Sequence, residues 1–260
     1  MSQSFDLARF DRERAARGVT WGSPVSWQTL TDSTNDDALL AAKAGAPHGA
    51  LFGAESQARG RGRRGSEWLS APGEGLWFSL VLRPEFRPEL APAIALCAGL
   101  SVRAAVAELL PVPVLVKWPN DVWAAGRKLA GVLVESQVSG AKVQSVIVGI
   151  GINVSQQSFP PPLAETATSL ELLSASKASR EVLLAMLLDE LSRRWTQLEA
   201  RGVSAISQEL AAHDALLGRR LRVEQTEGIA RGIDAEGRLL LETPDGRLEP
   251  VISGHVELVR

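Results

Sequence analysis

The chain has one cysteine, Cys97, in 260 residues. A lone thiol cannot close an internal disulfide, which fits a reducing, cytoplasmic setting. Cys97 lies in the apolar run 94–98, so a small buried residue on a helix accounts for it better than a nucleophile does. Histidine is also scarce. His48, His213 and His255 are far apart, and neither Cys-x-x-Cys nor His-Glu-x-x-His occurs; both facts argue against a zinc centre held by the protein. No uninterrupted apolar stretch reaches the ~18 residues of a membrane span. Residues 1–17 mix charges with a few apolar residues and lack the apolar centre of a signal peptide. Neither sign of charge dominates: the formal net charge is -2. That balance gives no electrostatic reason to expect nucleic acid or an anionic membrane as the main partner.

What is present is a chain 45% hydrophobic, enough for one large core or for a main domain with a small appendage. Residues 1–20 read as a short helix and a link. Asp32-Ser33-Thr34-Asn35 precedes an alanine- and leucine-rich segment, which reads as a helix capped at its start and ending near Gly45. Ser33 with Asp36, or Thr34 with Asp37, fits a capping box. Residues 50–56 and 76–82 read as strands, and 91–110 as an apolar helix. A meander of three antiparallel strands is expected over 112–118, 128–137 and 142–154. Leu183, Leu184, Leu187, Leu188, Leu191 and Trp195 share one face of a helix over 180–201. After about Leu217 the texture changes to short runs at 220–223, 229–233, 238–242 and 256–259, separated by glycine turns. These predict a small all-β barrel.

Four segments carry candidate chemistry. Arg59, Arg61, Arg63 and Arg64 are interleaved with Gly60 and Gly62. Guanidiniums on a pliant backbone can wrap a phosphate or carboxylate, although a solvated loop or a nucleic-acid contact fits the same composition. Lys117-Trp118-Pro119-Asn120-Asp121 ends one valine-rich strand, and Lys128 opens the next. Of 28 cationic side chains only five are lysine, yet two of the five fall in this hairpin. A compact ammonium is therefore expected there, beside a phosphate or acyl oxygen. Gly131 is expected to leave room for a ligand against the sheet. Gly149 and Gly151 interrupt an apolar strand that closes on Asn153, which marks close approach by another group. The Walker phosphate loop is missing, so any ATP chemistry is not of the P-loop kind.

In this order the segments 32–35, 60–65, 117–121, 127–131 and 149–153 resemble the biotin protein ligases. The resemblance implies an α/β (α+β) fold: a mixed, largely antiparallel sheet with flanking helices, plus a small C-terminal SH3-like β-barrel. Residues 1–216 would be the catalytic domain and 217–260 the C-terminal domain. It also implies a reaction, in which biotin and MgATP give biotinyl-5'-AMP and a lysine of a biotin carboxyl carrier protein then takes the biotinyl group.

By matching position, Ser33, Thr34, Asn35 and Gln57 would bind the ureido ring of biotin. Arg61, Gly62 and Arg63 would form the loop that closes over biotin and the adenylate. Lys128 would reach the carboxylate, while Lys117 and Asn120 would face phosphate. Asn153 would sit near the phosphates or the magnesium. Lys128, Lys117 and Arg63 are the expected catalytic residues, with no resident metal. Ser66 and Glu67 depart from the further basic residues that the family commonly carries after its loop. About 20 residues precede the matched region, too few for the repressor domain of some members, so no DNA partner is expected. The resemblance leaves a homodimer open. The nearest rival is a ligase or transferase acting on lipoate or octanoate. The segment 59–67 is expected to be mobile until an anionic adenylate supplies countercharge.

Overall fold

The computed structural model describes residues 4–84, 91–139, 142–174 and 177–259. Helix α1 (Leu7–Ala16) opens the chain, capped by the Asp6 carboxylate, which accepts the Arg9 amide at 2.9 Å. A seven-stranded sheet follows. Its members are β1 (Val25–Thr31), β2 (Ala50–Gln57), β3 (Gly75–Leu82), β4 (Val114–Lys117), β5 (Asp121–Ala124), β6 (Arg127–Ser139) and β7 (Lys142–Asn153), in the order β1-β2-β3-β7-β6-β5-β4. Only β1 and β2 run parallel; the other pairs are antiparallel. The mixed, largely antiparallel sheet is the one expected.

Strand parity sorts the two faces. Phe78, Leu80, Leu82, Val148, Ile150 and Ile152 belong to the main core. That core includes α3 (Ala91–Ala107) and α5 (Arg180–Arg201), through residues such as Leu96, Leu100, Leu184 and Leu188. Val81 and Ile147 face the other way, against Ala38 and Ala42 of α2 (Thr34–Lys43). Ser79, Gly149 and Gly151 share that second parity. The sheet therefore presents small and polar positions beside the start of α2, and the cavity described below lies there.

Two short helices, α4 (Leu170–Leu173) and α6 (Ser207–Ala212), lead to a second sheet. Its strands are β8 (Arg220–Val223), β9 (Thr226–Ile233), β10 (Leu239–Glu242), β11 (Leu248–Val251) and β12 (Val256–Leu258), antiparallel in the order β11-β10-β9-β8-β12. These five strands form the small all-β C-terminal unit that the sequence predicts, an antiparallel sheet in which no pairing among the described residues joins β11 to β12. The Trp118 indole donates to the Gly237 carbonyl at 3.1 Å. Leu221, Val223, Leu239 and Val256 join the same apolar cluster as Trp118. None of the described helices is long and apolar enough to cross a membrane.

Three strands escape the sequence reading. β1 is an edge strand with an irregular burial pattern, so it has no apolar run to announce it. β11 contains Pro250 and is half exposed. β5 is only four residues long, and it corrects the expected hairpin. It pairs with both β4 and β6, so the meander has four strands and the two lysine-bearing strands are not neighbours. Asp121 is instead set between the lysines, opposite Lys117 in register and 2.7 Å from Lys128 Nζ.

Candidate active site

A cavity of about 650 Å³ opens beside the start of α2. Its polar end is a chain of hydrogen bonds. The Thr34 amide donates to Gln57 Oε1 at 2.9 Å, and the Thr34 hydroxyl lies 2.8 Å from Ser79 Oγ. Ser79 donates to Asn35 Oδ1 at 2.5 Å, Asn35 donates to Glu135 at 2.6 Å, and Gln57 donates to Ser70 Oγ at 2.8 Å. Ser33 is the N-cap residue by position, but its side chain makes no capping bond. The capping box does not form because Asp36 and Asp37 point elsewhere, to Arg61 and to Thr31. The first free amide of the helix goes to Gln57 instead.

The opposite side carries the cations. Lys128 Nζ contacts Asp121 at 2.7 Å and sits 5.1 Å from the Trp68 ring centre. Lys117 Nζ lies 4.6 Å from the Trp123 ring centre and donates to the Val256 carbonyl at 3.3 Å. Burial lowers the Lys117 pKa; Asp121 opposes that and Lys128 adds to it. Arg63 donates to Asn120 Oδ1 at 3.4 Å, and burial lowers its pKa too, against Asp121. The cavity is thus lined by five cations, Arg61, Arg63, Arg64, Lys117 and Lys128, against two carboxylates, Glu67 and Asp121, an arrangement that favours an anionic ligand.

The loop arginines are less isolated than their sequence implies. Arg59 pairs with Asp32, Arg61 takes Asp36 in a fork at 2.6 and 2.8 Å, and Arg64 pairs with Glu224. A backbone bridge joins Arg61 to Glu67. The protein's own carboxylates therefore supply much of the countercharge that sequence reading assigns to a ligand.

The cavity glycines give way to protein groups. A Cβ on Gly149 would lie 2.0 Å from Asn35 Oδ1, and one on Gly151 would lie 2.6 Å from the Trp68 ring. One on Gly131 would meet the same ring at 2.9 Å and Lys128 Cε at 3.1 Å. The room expected for a ligand at Gly131 is taken by Trp68 and Lys128.

Ser33, Thr34, Asn35, Gln57, Arg61, Gly62, Arg63, Lys117, Asn120 and Lys128 all line this one cavity. Asn153 does not. It is 5% exposed, its amide donates to the Thr168 carbonyl at 2.9 Å, and its oxygen accepts from Gln156. Asn153 ends β7 opposite Gly75, and its bonds tie that end to the segment leading into α4.

Residues 27–153 match the Biotin/lipoate A/B protein ligase family, and residues 216–259 match the Biotin protein ligase C terminal domain. The biotin--[acetyl-CoA-carboxylase] ligase of Mycobacterium tuberculosis is 36% identical, over 95% of this chain and 96% of that one. The chain belongs to the biotin protein ligases. The bifunctional ligase/repressor BirA of Bacillus spizizenii is 35% identical over 91% of the ligase and 74% of its own length. The biotin protein ligase of Aquifex aeolicus, solved in complex with biotin and ATP, is 30% identical with a TM-score of 0.79, covering 92% of this chain and 99% of that one.

Among the cavity residues to which the sequence analysis gives no role are Trp68, Asp121, Gly254, His255 and Val256. Trp68 could have been found. It is the first large apolar residue after the arginine loop, and two glycines, Gly131 on β6 and Gly151 on β7, leave room for its ring. His255 and Val256 carry no local signal, because only the docking of the second sheet brings them to the cavity.

Proposed function

We propose that this ligase joins biotin to ATP as biotinyl-5'-AMP and then passes the biotinyl group to a lysine of a biotin carboxyl carrier protein. A biotin carboxylate oxygen attacks the α-phosphorus, and pyrophosphate leaves with the electron pair of the broken P–O bond. The acceptor amine then attacks the acyl carbon, and AMP leaves. The observation that carries this reading is the convergence of Lys128, Lys117 and Arg63 on a cavity whose far end is the Thr34, Asn35 and Gln57 network. A ureido ring has both donors and acceptors to satisfy such a network. A carboxylate and a polyphosphate repel each other, and fixed cations offset that repulsion most where charge builds up at the transition state. In this reading Ser33, Thr34, Asn35 and Gln57 hold the ring. Lys128 takes the carboxylate, and Lys117, Asn120, Arg61 and Arg63 take the phosphates, with Gly62 in the covering loop.

Magnesium enters as part of MgATP. Among the described residues no group of three or more His, Cys, Asp or Glu side chains is placed to hold a metal ion, and the buried bonds of Asn153 argue against its expected role beside the metal. A catalytic unit of 1–216 and a C-terminal unit of 217–260 belong to the same reading, as does a cytoplasmic location. Cys97 is fully buried and its thiol is pushed up to about 12 by that burial, which supports a chain that needs no disulfide. Incubation with MgATP and biotin should yield biotinyl-AMP by mass spectrometry, and incubation with lipoate should yield no adenylate. Adenylation of lipoate in place of biotin would overturn the reading.

A further inference from the structure

Two turns that meet at the edge of the cavity share an uncommon backbone. Arg64 has φ 58°, and Glu224, between β8 and β9, has φ 54°; Ala125 is the one other non-glycine residue with positive φ among the described residues. Side chains rarely tolerate this region, so a residue found there is held by its surroundings. Here the two residues hold each other, because Arg64 Nη1 pairs with Glu224 Oε1. The same oxygen accepts the His255 amide at 3.2 Å. Arg64 lines the cavity from the loop, and Gly254, His255 and Val256 line it from the second sheet. One carboxylate therefore ties the loop to the wall.

We propose that Glu224 is a positioning residue, latching the 63–65 turn to the 254–256 wall and so setting how long the acyl-adenylate is retained. The proposal rests on the ligase reading above. Arg64, and after it the His255 amide, hold the Glu224 carboxyl below the usual carboxylate range, so the latch stays charged at neutral pH. Both side chains are more than half exposed, at 58% and 51%. A pair of that kind is screened by salt and shifts an equilibrium by no more than about fivefold. A weak latch suits two half-reactions, because the adenylate must be kept from water and then be reached by an acceptor amine.

The test is the release rate of labelled biotinyl-AMP from the full chain at low and high salt. It compares wild type, Glu224→Gln, Arg64→Glu, and Arg64→Glu combined with Glu224→Arg. Glu224→Gln should release about two- to fivefold faster. Salt should speed release from wild type more than from Glu224→Gln, where only the attraction between the adenylate and the cavity cations is left to screen. The double variant should retain the adenylate longer than Arg64→Glu alone, a rescue that a merely structural role would not give. Release from Glu224→Gln at the wild-type rate, or a double variant no better than Arg64→Glu, overturns the latch. Pyrophosphate exchange on wild type tests the underlying reading separately. Normal exchange with unaltered release in Glu224→Gln rejects the latch alone, whereas no exchange in wild type rejects both.

Discussion

Lys128 is confined on three sides: by Asp121 at 2.7 Å, by the Trp68 ring and by the missing Cβ of Gly131. A planar guanidinium is wider than an ammonium and would have to displace the indole. Lys128→Ala should slow ATP–pyrophosphate exchange about 100-fold, the effect of removing roughly 3 kcal/mol of transition-state stabilisation. Lys128→Arg should recover little of it. A Lys128→Ala enzyme that keeps more than half the wild-type rate would refute the assignment. Gly149 makes an independent point. An added methyl there collides with Asn35 Oδ1 at 2.0 Å, and Asn35 is bonded to both Ser79 and Glu135. Overpacking of this kind costs about 1–3 kcal/mol. Gly149→Ala should therefore weaken biotin binding about tenfold or more by calorimetry. Equal affinity in the Gly149 variant would mean that Asn35 does not shape the pocket.

Among the elements, the N-terminal segment changes most between sequence and structure. With no matched motif in residues 1–18, the sequence predicts that their removal leaves ligation largely intact. The structure predicts damage. Phe10 is fully buried and Phe5 nearly so. The Phe5 amide donates to Glu55 at 2.7 Å and the Asp6 amide to Glu181 at 3.0 Å. Glu55 is itself buried beside Arg180 at 2.8 Å and stands two residues before Gln57 on β2. Phe10→Ala should cost about 3–5 kcal/mol in denaturant unfolding, and deletion of 1–18 should lower the melting temperature and biotin affinity together. A truncated chain with wild-type stability would return the segment to a mere link. Burial opposes ionisation of Glu55, but Arg180 and the Phe5 amide outweigh it and hold the carboxyl below its ordinary range. Its contribution to stability is thus present above the ordinary carboxylate pKa and is lost as pH falls through the depressed one. Phe10→Ala should leave that acid limb in place, and Arg180→Met should remove it.

At the scale of the molecule, the two sheets share one core. Trp118 is 1% exposed between them, and its indole bond to Gly237 crosses the boundary expected at 216/217. A common apolar cluster implies common unfolding. Scanning calorimetry should give a single transition, and Trp118→Phe, which leaves a buried carbonyl without its donor, should lower stability by about 1–3 kcal/mol. Two resolved transitions would show that the second sheet folds on its own. Removing residues 217–260 should abolish adenylate formation, because the wall formed by Gly254, His255 and Val256 goes with them.

The same scale separates what could be read in the chain from what could not. The helices over 91–107 and 180–201 and the strands β2, β3, β6 and β7 announce themselves, because burial on a fixed face imposes a period on sequence. The ordered motifs gave the family, and ten of the eleven site residues that the resemblance implies line one cavity, since glycine, lysine and arginine in a set order record local chemical demands. Asn153 lies outside the cavity lining and bonds the Thr168 carbonyl, a partner its own strand does not announce. β1 and β11 were missed because edge strands need no apolar run. The countercharges Asp32, Asp36, Asp121 and Glu224, the packing of Trp68 onto Gly131 and Gly151, and the His255 wall join residues up to 160 positions apart. Sequence alone determined which chemistry the chain carries and which segments carry it. Only the tertiary structure decided which charges meet, because pairing depends on distances that exist once two sheets have closed on one core.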